Sequence, residues 1–191
     1  MIHRRPFYFV RHGEADWNVE RRCIGQLDRP LTERGRAQAR NARHLFADSA
    51  ISMVFHSPLS RAADTAFILG EGFSWTFIAE DGLKEANLGV KQGAREDDPA
   101  DPFIRAWIGG AIIDNAETHA AMSERVVRAA NRCLVSLPPD AGPPLLVAHS
   151  GVYHTLRDAM GLPTTRVHNC QPIFHEPVEG AWRVTVLASS A

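Results

Sequence analysis

Three short apolar runs in this sequence end in side chains that can bind an anion or move a proton. The runs at 7–10, 51–55 and 145–147 lead respectively into Arg11-His12-Gly13, into Ser57 and Arg61, and into His149. A short β-prone run that stops at a polar turn is typical of a buried parallel strand. Because open α/β sheets bind ligands at the carboxyl ends of their strands, we expect these side chains to share one edge of a sheet.

Segments with helical periodicity alternate with these runs. Helices are predicted after an N-cap at Thr32 to about residue 46, from Ser60 onward, within 94–110, over about 116–137 and over 152–160. Further strands are predicted at 75–80, 173–175 and 183–187, and a loop at 14–30. This alternation, without repeats or a linker, predicts an α/β fold: a three-layer α/β/α sandwich around a mostly parallel sheet with an antiparallel edge strand.

The composition is that of an ordinary globular protein. We expect the 191 residues to form a single domain, 1–191, in which about 90–115 make a small cap segment. Apolar residues are 45% and charged residues 23% of the chain, and the net charge is −1, so no basic field favours nucleic acid or a membrane surface. No apolar run approaches the roughly 20 residues that span a bilayer, and the first residues do not resemble a signal peptide.

The three cysteines, Cys23, Cys133 and Cys170, are irregularly spaced. An odd number without a CxxC pair argues against a disulfide framework and against a zinc site, and favours a reducing, cytoplasmic compartment. The nine histidines form no HExxH motif, so we expect neither a metal nor another cofactor.

The residue types at the strand ends suit phosphoryl transfer. Arg11 and Arg61 are permanent cations whose forked donors match a phosphate group. His12 and His149 can be held neutral near pH 7, and a neutral imidazole is a nucleophile. Glu85 follows the remaining strand candidate and can supply acid–base help. Together at one edge, these five side chains predict transfer of a phosphoryl group through a phosphohistidine.

Several of these residues have a purely structural alternative. Arg61 falls in the first turn of a predicted helix, where an arginine is commonly solvated, and His149 could be a hydrogen-bonded core histidine. Glu85 falls in a predicted loop, where carboxylates are usually solvated. Ser150, between a strand and a helix, does not complete a G-x-S-x-G nucleophile elbow, because residues 148 and 152 are Ala and Val.

Five segments, taken together and in order, resemble the histidine phosphatase superfamily, which includes phosphoglycerate mutases and many small phosphatases. They are FVRHGEADWN, IGQLDRPLTERGRAQA, HSPLSRAADTA, LKEANLGVKQG and LLVAHSGVYHTLRDAMG. The resemblance covers nearly the whole chain. It implies that His12 is the nucleophile, that Glu85 is the general acid and base, and that the phosphoryl group is bound by Arg11, Arg61 and His149. The same segments supply candidate substrate-binding residues, which are Asn18, Gln26 and Ser57.

We therefore predict a metal-independent phosphomonoester hydrolase that acts through phospho-His12. A phosphoglycerate mutase-type phosphotransferase and a catalytically silent phospholigand-binding protein are the alternatives. The short segment 94–115 lacks the Arg-rich insertion associated with the mutases, which favours hydrolysis.

The sequence does not identify the substrate. The expected partner is a small phosphorylated metabolite, and a phosphoprotein is also compatible, whereas the oligomeric state is not indicated. The chain departs from common family patterns at Lys91-Gln92 and at His154, which leaves the leaving group undefined. Phe103 and Trp107 are expected to pack the cap as an apolar patch, or else to shape the entrance together with the acidic residues Asp97, Asp98 and Asp101.

Overall fold

The computed structural model describes residues 1–95 and 102–188. In these residues six strands form one sheet: β1 (Phe7–Arg11), β2 (Met53–His56), β3 (Thr76–Ala79), β4 (Leu145–Ala148), β5 (Ile173–Val178) and β6 (Ala181–Val186). Their order across the sheet is β3-β2-β4-β1-β5-β6. Strands β1 to β4 all run parallel to one another, whereas β5 runs antiparallel to its two neighbours, β1 and β6. The predicted fold is confirmed, with the antiparallel strand one place in from the edge.

Six α-helices lie in the described part of the chain: α1 (Asp16–Val19), α2 (Glu33–Ala42), α3 (Ser60–Gly70), α4 (Phe103–Ile108), α5 (His119–Val135) and α6 (Ser150–Ala159). Short 3-10 turns occupy Arg43–Phe46, Asp81–Leu83 and Gly89–Lys91. Thr32 is the N-cap of α2, as predicted, because its hydroxyl accepts the backbone N–H of Gly35 at 3.0 Å. None of the helices described is long and apolar enough to cross a membrane.

Helix α1 lies in the segment that was predicted to be a loop. Asn18 stabilises it, since its side-chain oxygen accepts the N–H of Ala15 at 3.0 Å. The carboxylate of Asp16 pairs with the guanidinium of Arg29, which also lies over the ring of Trp17 at 4.6 Å. The polar, aperiodic sequence gives no signal for this single turn of helix, which is stabilised by the contacts of Asn18, Asp16 and Arg29.

Helices cover both faces of the sheet, and the core accordingly has two halves. The side chains of β1 alternate between them: Phe7 and Phe9 pack with residues of α5 and α6, and Val10 packs with residues of α2 and α3. All four residues of β4 are buried, as expected for a parallel strand that is covered by helices on both faces.

The register of the central strands brings the functional side chains to one edge. Arg11 at the end of β1 pairs with Ala148 at the end of β4. Just beyond, the N–H of His12 donates to the carbonyl of Ala148 at 2.9 Å, and the N–H of Ser57 donates to the carbonyl of Val147 at 3.0 Å. Three chain segments therefore leave the sheet side by side, where α/β sheets bind ligands.

Candidate active site

A cavity of about 540 Å³ lies beside the carboxyl ends of the parallel strands. Five of the residues predicted for the site line it: Arg11, His12, Asn18, Arg61 and Glu85. The other three, Gln26, Ser57 and His149, are not part of its wall. His149 nevertheless lies next to the site, because its ring centroid is 5.1 Å from that of His12.

His12 is buried and its ring is held in one orientation. Nδ1 lies 2.6 Å from the carbonyl oxygen of Gly13. Because a carbonyl can only accept, Nδ1 carries the proton and the lone pair is on Nε2. Burial lowers the pKa of His12 well below its usual value, and the neighbouring cations Arg61 and Arg11 lower it further. The imidazole is therefore neutral near pH 7, and its Nε2 is available as a nucleophile.

Arg61, in the first turn of α3, is fully buried. Its two terminal nitrogens donate to the carbonyls of Leu27 at 3.0 Å and Gly25 at 2.7 Å, while Nε has no hydrogen-bond partner among the described residues. Burial lowers the pKa of Arg61 to about 10, so the guanidinium stays charged at neutral pH. The alternative of a solvated helix residue is excluded. Arg11 is the second guanidinium of the cavity and donates to the carbonyl of Val167 at 3.1 Å.

His149 is fully buried at the N-terminus of α6, where its Nε2 lies 2.8 Å from the hydroxyl oxygen of Ser57. Its Nδ1 is buried and has no hydrogen-bond partner in the described part of the chain. Burial, followed by the charge of Arg61, lowers the pKa of His149 well below its usual value. A buried polar nitrogen without a partner costs free energy, which a hydrogen bond to a ligand would recover.

Glu85 is held from two sides. Its carboxylate accepts the N–H of Ala86 and the N–H of Gly151, each at 3.0 Å. Its backbone carbonyl accepts from Nε2 of Gln26 at 3.0 Å and from Arg125 of α5 at 3.3 Å. The side chain of Gln26 thus contacts the chain segment that carries Glu85.

This arrangement combines a neutral nucleophile, two guanidinium groups and a carboxyl group around one cavity. The guanidinium groups match the charge and the geometry of a phosphate group. Among the described residues no group of three His, Cys, Asp or Glu side chains is placed to hold a metal ion. The chemistry available to the described side chains is nucleophilic attack, anion binding and proton transfer.

The family model of the histidine phosphatase superfamily (branch 1) matches residues 7–187. The chain belongs to the histidine phosphatase superfamily. It is an enzyme of this type, and the resemblance inferred from its motifs is confirmed.

Members of the superfamily similar to this chain include both mutases and phosphatases by name. A Cronobacter sakazakii protein named as a probable phosphoglycerate mutase, GpmB, is 34% identical in an alignment 175 positions long that covers 85% of this chain and 80% of the relative. A mycobacterial glucosyl-3-phosphoglycerate phosphatase, solved with VO3, has 29% identity and a TM-score of 0.82 over 97% of this chain and 100% of its own. A candidate α-ribazole-5′-phosphate phosphatase from Escherichia coli has 25% identity and a TM-score of 0.84, and the match covers 99% of this chain and 98% of that one.

Sequence reasoning missed the residues that hold the site together. Gly151 is one of them, because a Cβ there would lie 2.4 Å from Oε1 of Glu85. Arg125 is another: it pairs with Glu117 at 2.5 Å and donates to the carbonyls of Gly82 and Lys84. These contacts join segments far apart in the sequence, so no local pattern indicates them.

The helix predicted within 94–110 is present as α4, and it forms part of the cavity wall through Ile104, Trp107 and Ile108. Phe103 and Trp107 are both buried in the core half on the α5 and α6 side. The acidic residues expected at the entrance, Asp97, Asp98 and Asp101, lie outside the described residues.

Proposed function

We propose that this protein is a phosphomonoester hydrolase that acts through a phosphohistidine on His12. The observation that carries this proposal is the state of His12. Its Nδ1 is bound to the Gly13 carbonyl, and its ring faces a cavity that also contains the guanidinium groups of Arg11 and Arg61. A neutral imidazole fixed next to two cations is suited to attack a dianionic phosphoryl group.

The reaction has two steps. In the first, Nε2 of His12 attacks phosphorus, the bond between phosphorus and the ester oxygen breaks, and Glu85 gives its proton to the departing alcohol. In the second, water attacks the phosphohistidine, Glu85 takes a proton from this water, and the bond between phosphorus and nitrogen breaks to release inorganic phosphate. Arg11, Arg61 and the Nδ1–H of His149 bind the charged oxygens of the transferring group throughout.

Asn18, Gln26 and Ser57 have supporting roles in this proposal. Asn18 lines the cavity and is proposed to contact the phosphate group. Gln26 and Ser57 are proposed to act through Glu85 and His149, with which they form hydrogen bonds. We thus propose positioning roles for these two residues in place of direct substrate binding.

A phosphoglycerate mutase is the second candidate, favoured by the relative of that name at 34% identity. In a mutase the phosphoryl group returns from His12 to the substrate before water attacks. The short segment 94–115 and the full-length match to a phosphatase structure support hydrolysis.

We further propose a single domain with about 90–115 as its cap segment. A cytoplasmic location is supported by the absence of disulfides among the described cysteines, Cys23, Cys133 and Cys170.

Trapping the intermediate tests the proposal. The enzyme is mixed with a ³²P-labelled phosphomonoester and quenched, and the expected result is a protein label that is labile in acid and stable in base. His12→Asn should abolish the label and the release of phosphate, whereas the exposed His3→Asn should keep both. A wild-type enzyme that releases phosphate without labelling His12 would contradict the mechanism. Isomerisation of 3-phosphoglycerate much faster than its hydrolysis would establish the mutase instead.

A further inference from the structure

Beyond the phosphate-binding end, the wall of the cavity is mainly apolar. Its apolar side chains come from loops after β1 and β3, from α4 and from α5: Ile24, Leu88, Ile104, Trp107, Ile108 and Met122. Trp107 is fixed in place, because its indole N–H donates to the carbonyl of Glu117 at 2.8 Å and its ring packs edge-on against His119 at 5.0 Å. This surface is suited to an apolar group of the substrate.

Among the described residues, this part of the cavity offers no arginine or lysine for a second anion. Among the described lining residues the guanidinium groups are those of Arg11 and Arg61, both at the phosphate end, and no lysine is present. A carboxylate or second phosphate on the leaving group would therefore gain no ion pair with either residue type from the described lining.

Two further side chains of the cavity lining, His154 and Asp158, add to this preference. Burial lowers the pKa of His154, against the opposing effect of the carboxylates of Glu85 and Asp158, so the imidazole is uncharged at neutral pH. Asp158 is exposed at the end of α6 and contributes a negative charge to the lining. An anionic leaving group would meet this carboxylate, whereas a hydroxyl or an amide could hydrogen-bond to it.

We propose that the substrate is a phosphomonoester whose leaving group is uncharged and presents an aromatic or aliphatic face, and that Asp158 discriminates against leaving groups that carry an anion. The proposal rests on the phosphatase function proposed above and names its substrate class. The cavity volume, about 540 Å³, is within the range of about 300–1,000 Å³ that holds small organic ligands. Esters of the 3-phosphoglycerate kind, with a carboxylate beside the phosphate, are accordingly poor substrates.

Two esters of equal size test the proposal with the full-length enzyme. These are 4-carbamoylphenyl phosphate and 4-carboxyphenyl phosphate, which differ by one negative charge far from the phosphorus. We expect kcat/KM to be at least about tenfold lower for the carboxylate, mostly through KM, since the chemistry at phosphorus is nearly the same. Asp158→Asn should narrow this ratio severalfold. Equal kcat/KM for the two esters, or a ratio unchanged by Asp158→Asn, would overturn the proposal.

A second variant tests the apolar wall separately. Ile108 is 55% exposed yet lines the cavity, so Ile108→Ser should leave the fold intact. It should lower kcat/KM severalfold for phenyl phosphate and much less for ethyl phosphate, which is too short to cover the wall. An equal loss for both esters would contradict the apolar role. If all esters are hydrolysed alike through His12, the substrate class is wrong and the phosphatase function stands; if no ester is hydrolysed, both are wrong.

Discussion

At the scale of single residues, the contact between Ser57 and His149 bears on which nitrogen of the imidazole carries a proton. The N–H of Leu59 donates to the Ser57 hydroxyl oxygen at 3.3 Å, and Nε2 of His149 lies 2.8 Å from the same oxygen, within reach of the hydroxyl proton. When the hydroxyl donates to Nε2, the single proton of the neutral imidazole is on Nδ1, the buried nitrogen without a partner in the described part of the chain. We propose that Ser57 in this way prepares His149 to donate a hydrogen bond to a phosphoryl oxygen.

We predict that Ser57→Ala lowers kcat about tenfold, because His149 loses its fixed tautomer, while Ser57→Thr keeps the hydroxyl and most of the activity. The ¹⁵N shifts of His149 should show mixed tautomers in Ser57→Ala alone. In a His149→Asn background, Ser57→Ala should have little further effect on kcat. Fully additive losses would mean that Ser57 acts independently of His149.

At the scale of secondary-structure elements, the first turn of α6 positions the proposed general acid. The N–H of Gly151 donates to Oε2 of Glu85, and a Cβ at residue 151 would lie 2.4 Å from Oε1 of the same carboxylate and 3.1 Å from the methyl carbon of Met122. The helix thus has a glycine where the acid approaches its backbone. Helix stability does not explain a glycine at residue 151, since alanine favours a helix over glycine. The close approach of the Glu85 carboxylate does explain it.

Gly151→Ala is predicted to displace Glu85 without weakening the fold. Protonation of the leaving group matters most for alkyl esters, so activity on an alkyl phosphate should fall by about tenfold or more, and activity on p-nitrophenyl phosphate should fall much less. Glu85→Gln should give the same dependence on the leaving group. The melting temperature of Gly151→Ala should stay within a few degrees of the wild type. An equal loss on both esters would argue against this role for the carboxyl group.

At the scale of the whole molecule, the fold keeps several histidines neutral and buried. His175 on β5 is fully buried, stacks on Phe7 at 4.5 Å and lies 3.2 Å from the hydroxyl of Tyr153. Burial lowers its pKa to about 4, and the charge of Arg157 contributes. The pKa values of His12 and His149 are lowered as well. Below pH 6.5 these histidines therefore bind more protons in the unfolded chain than in the folded one. The free energy of unfolding accordingly decreases as the pH is lowered.

For His175 the shift from 6.5 to about 4 corresponds to about 3 kcal/mol, of which about 2 kcal/mol should be lost between pH 7 and pH 5. Urea unfolding at these two pH values measures the loss. His175→Phe should make the difference in unfolding free energy between them smaller, since the phenyl ring does not titrate. An equal or larger difference in the variant would show that other groups cause the acid sensitivity.

Sequence patterns alone determined the order of most strands and helices, the edge of the sheet at which the candidate site lies, and the family. They could do so because those features are local: apolar runs, an N-cap at Thr32 and motif residues that follow strand ends directly. The short helix α1 was missed, since the contacts of Asp16 with Arg29 and of Arg29 with Trp17 cross a loop that has no periodicity.

Only the tertiary structure decided how the site residues are held and what surrounds them. The neutral state of His12 depends on burial and on Arg61, which is distant in sequence, and the position of Glu85 depends on Gly151 and Arg125. The charge and shape of the cavity likewise come from side chains of several elements that meet only after folding. Hydrogen bonds, desolvation and packing between such residues depend on their distances in space, which a single sequence does not record.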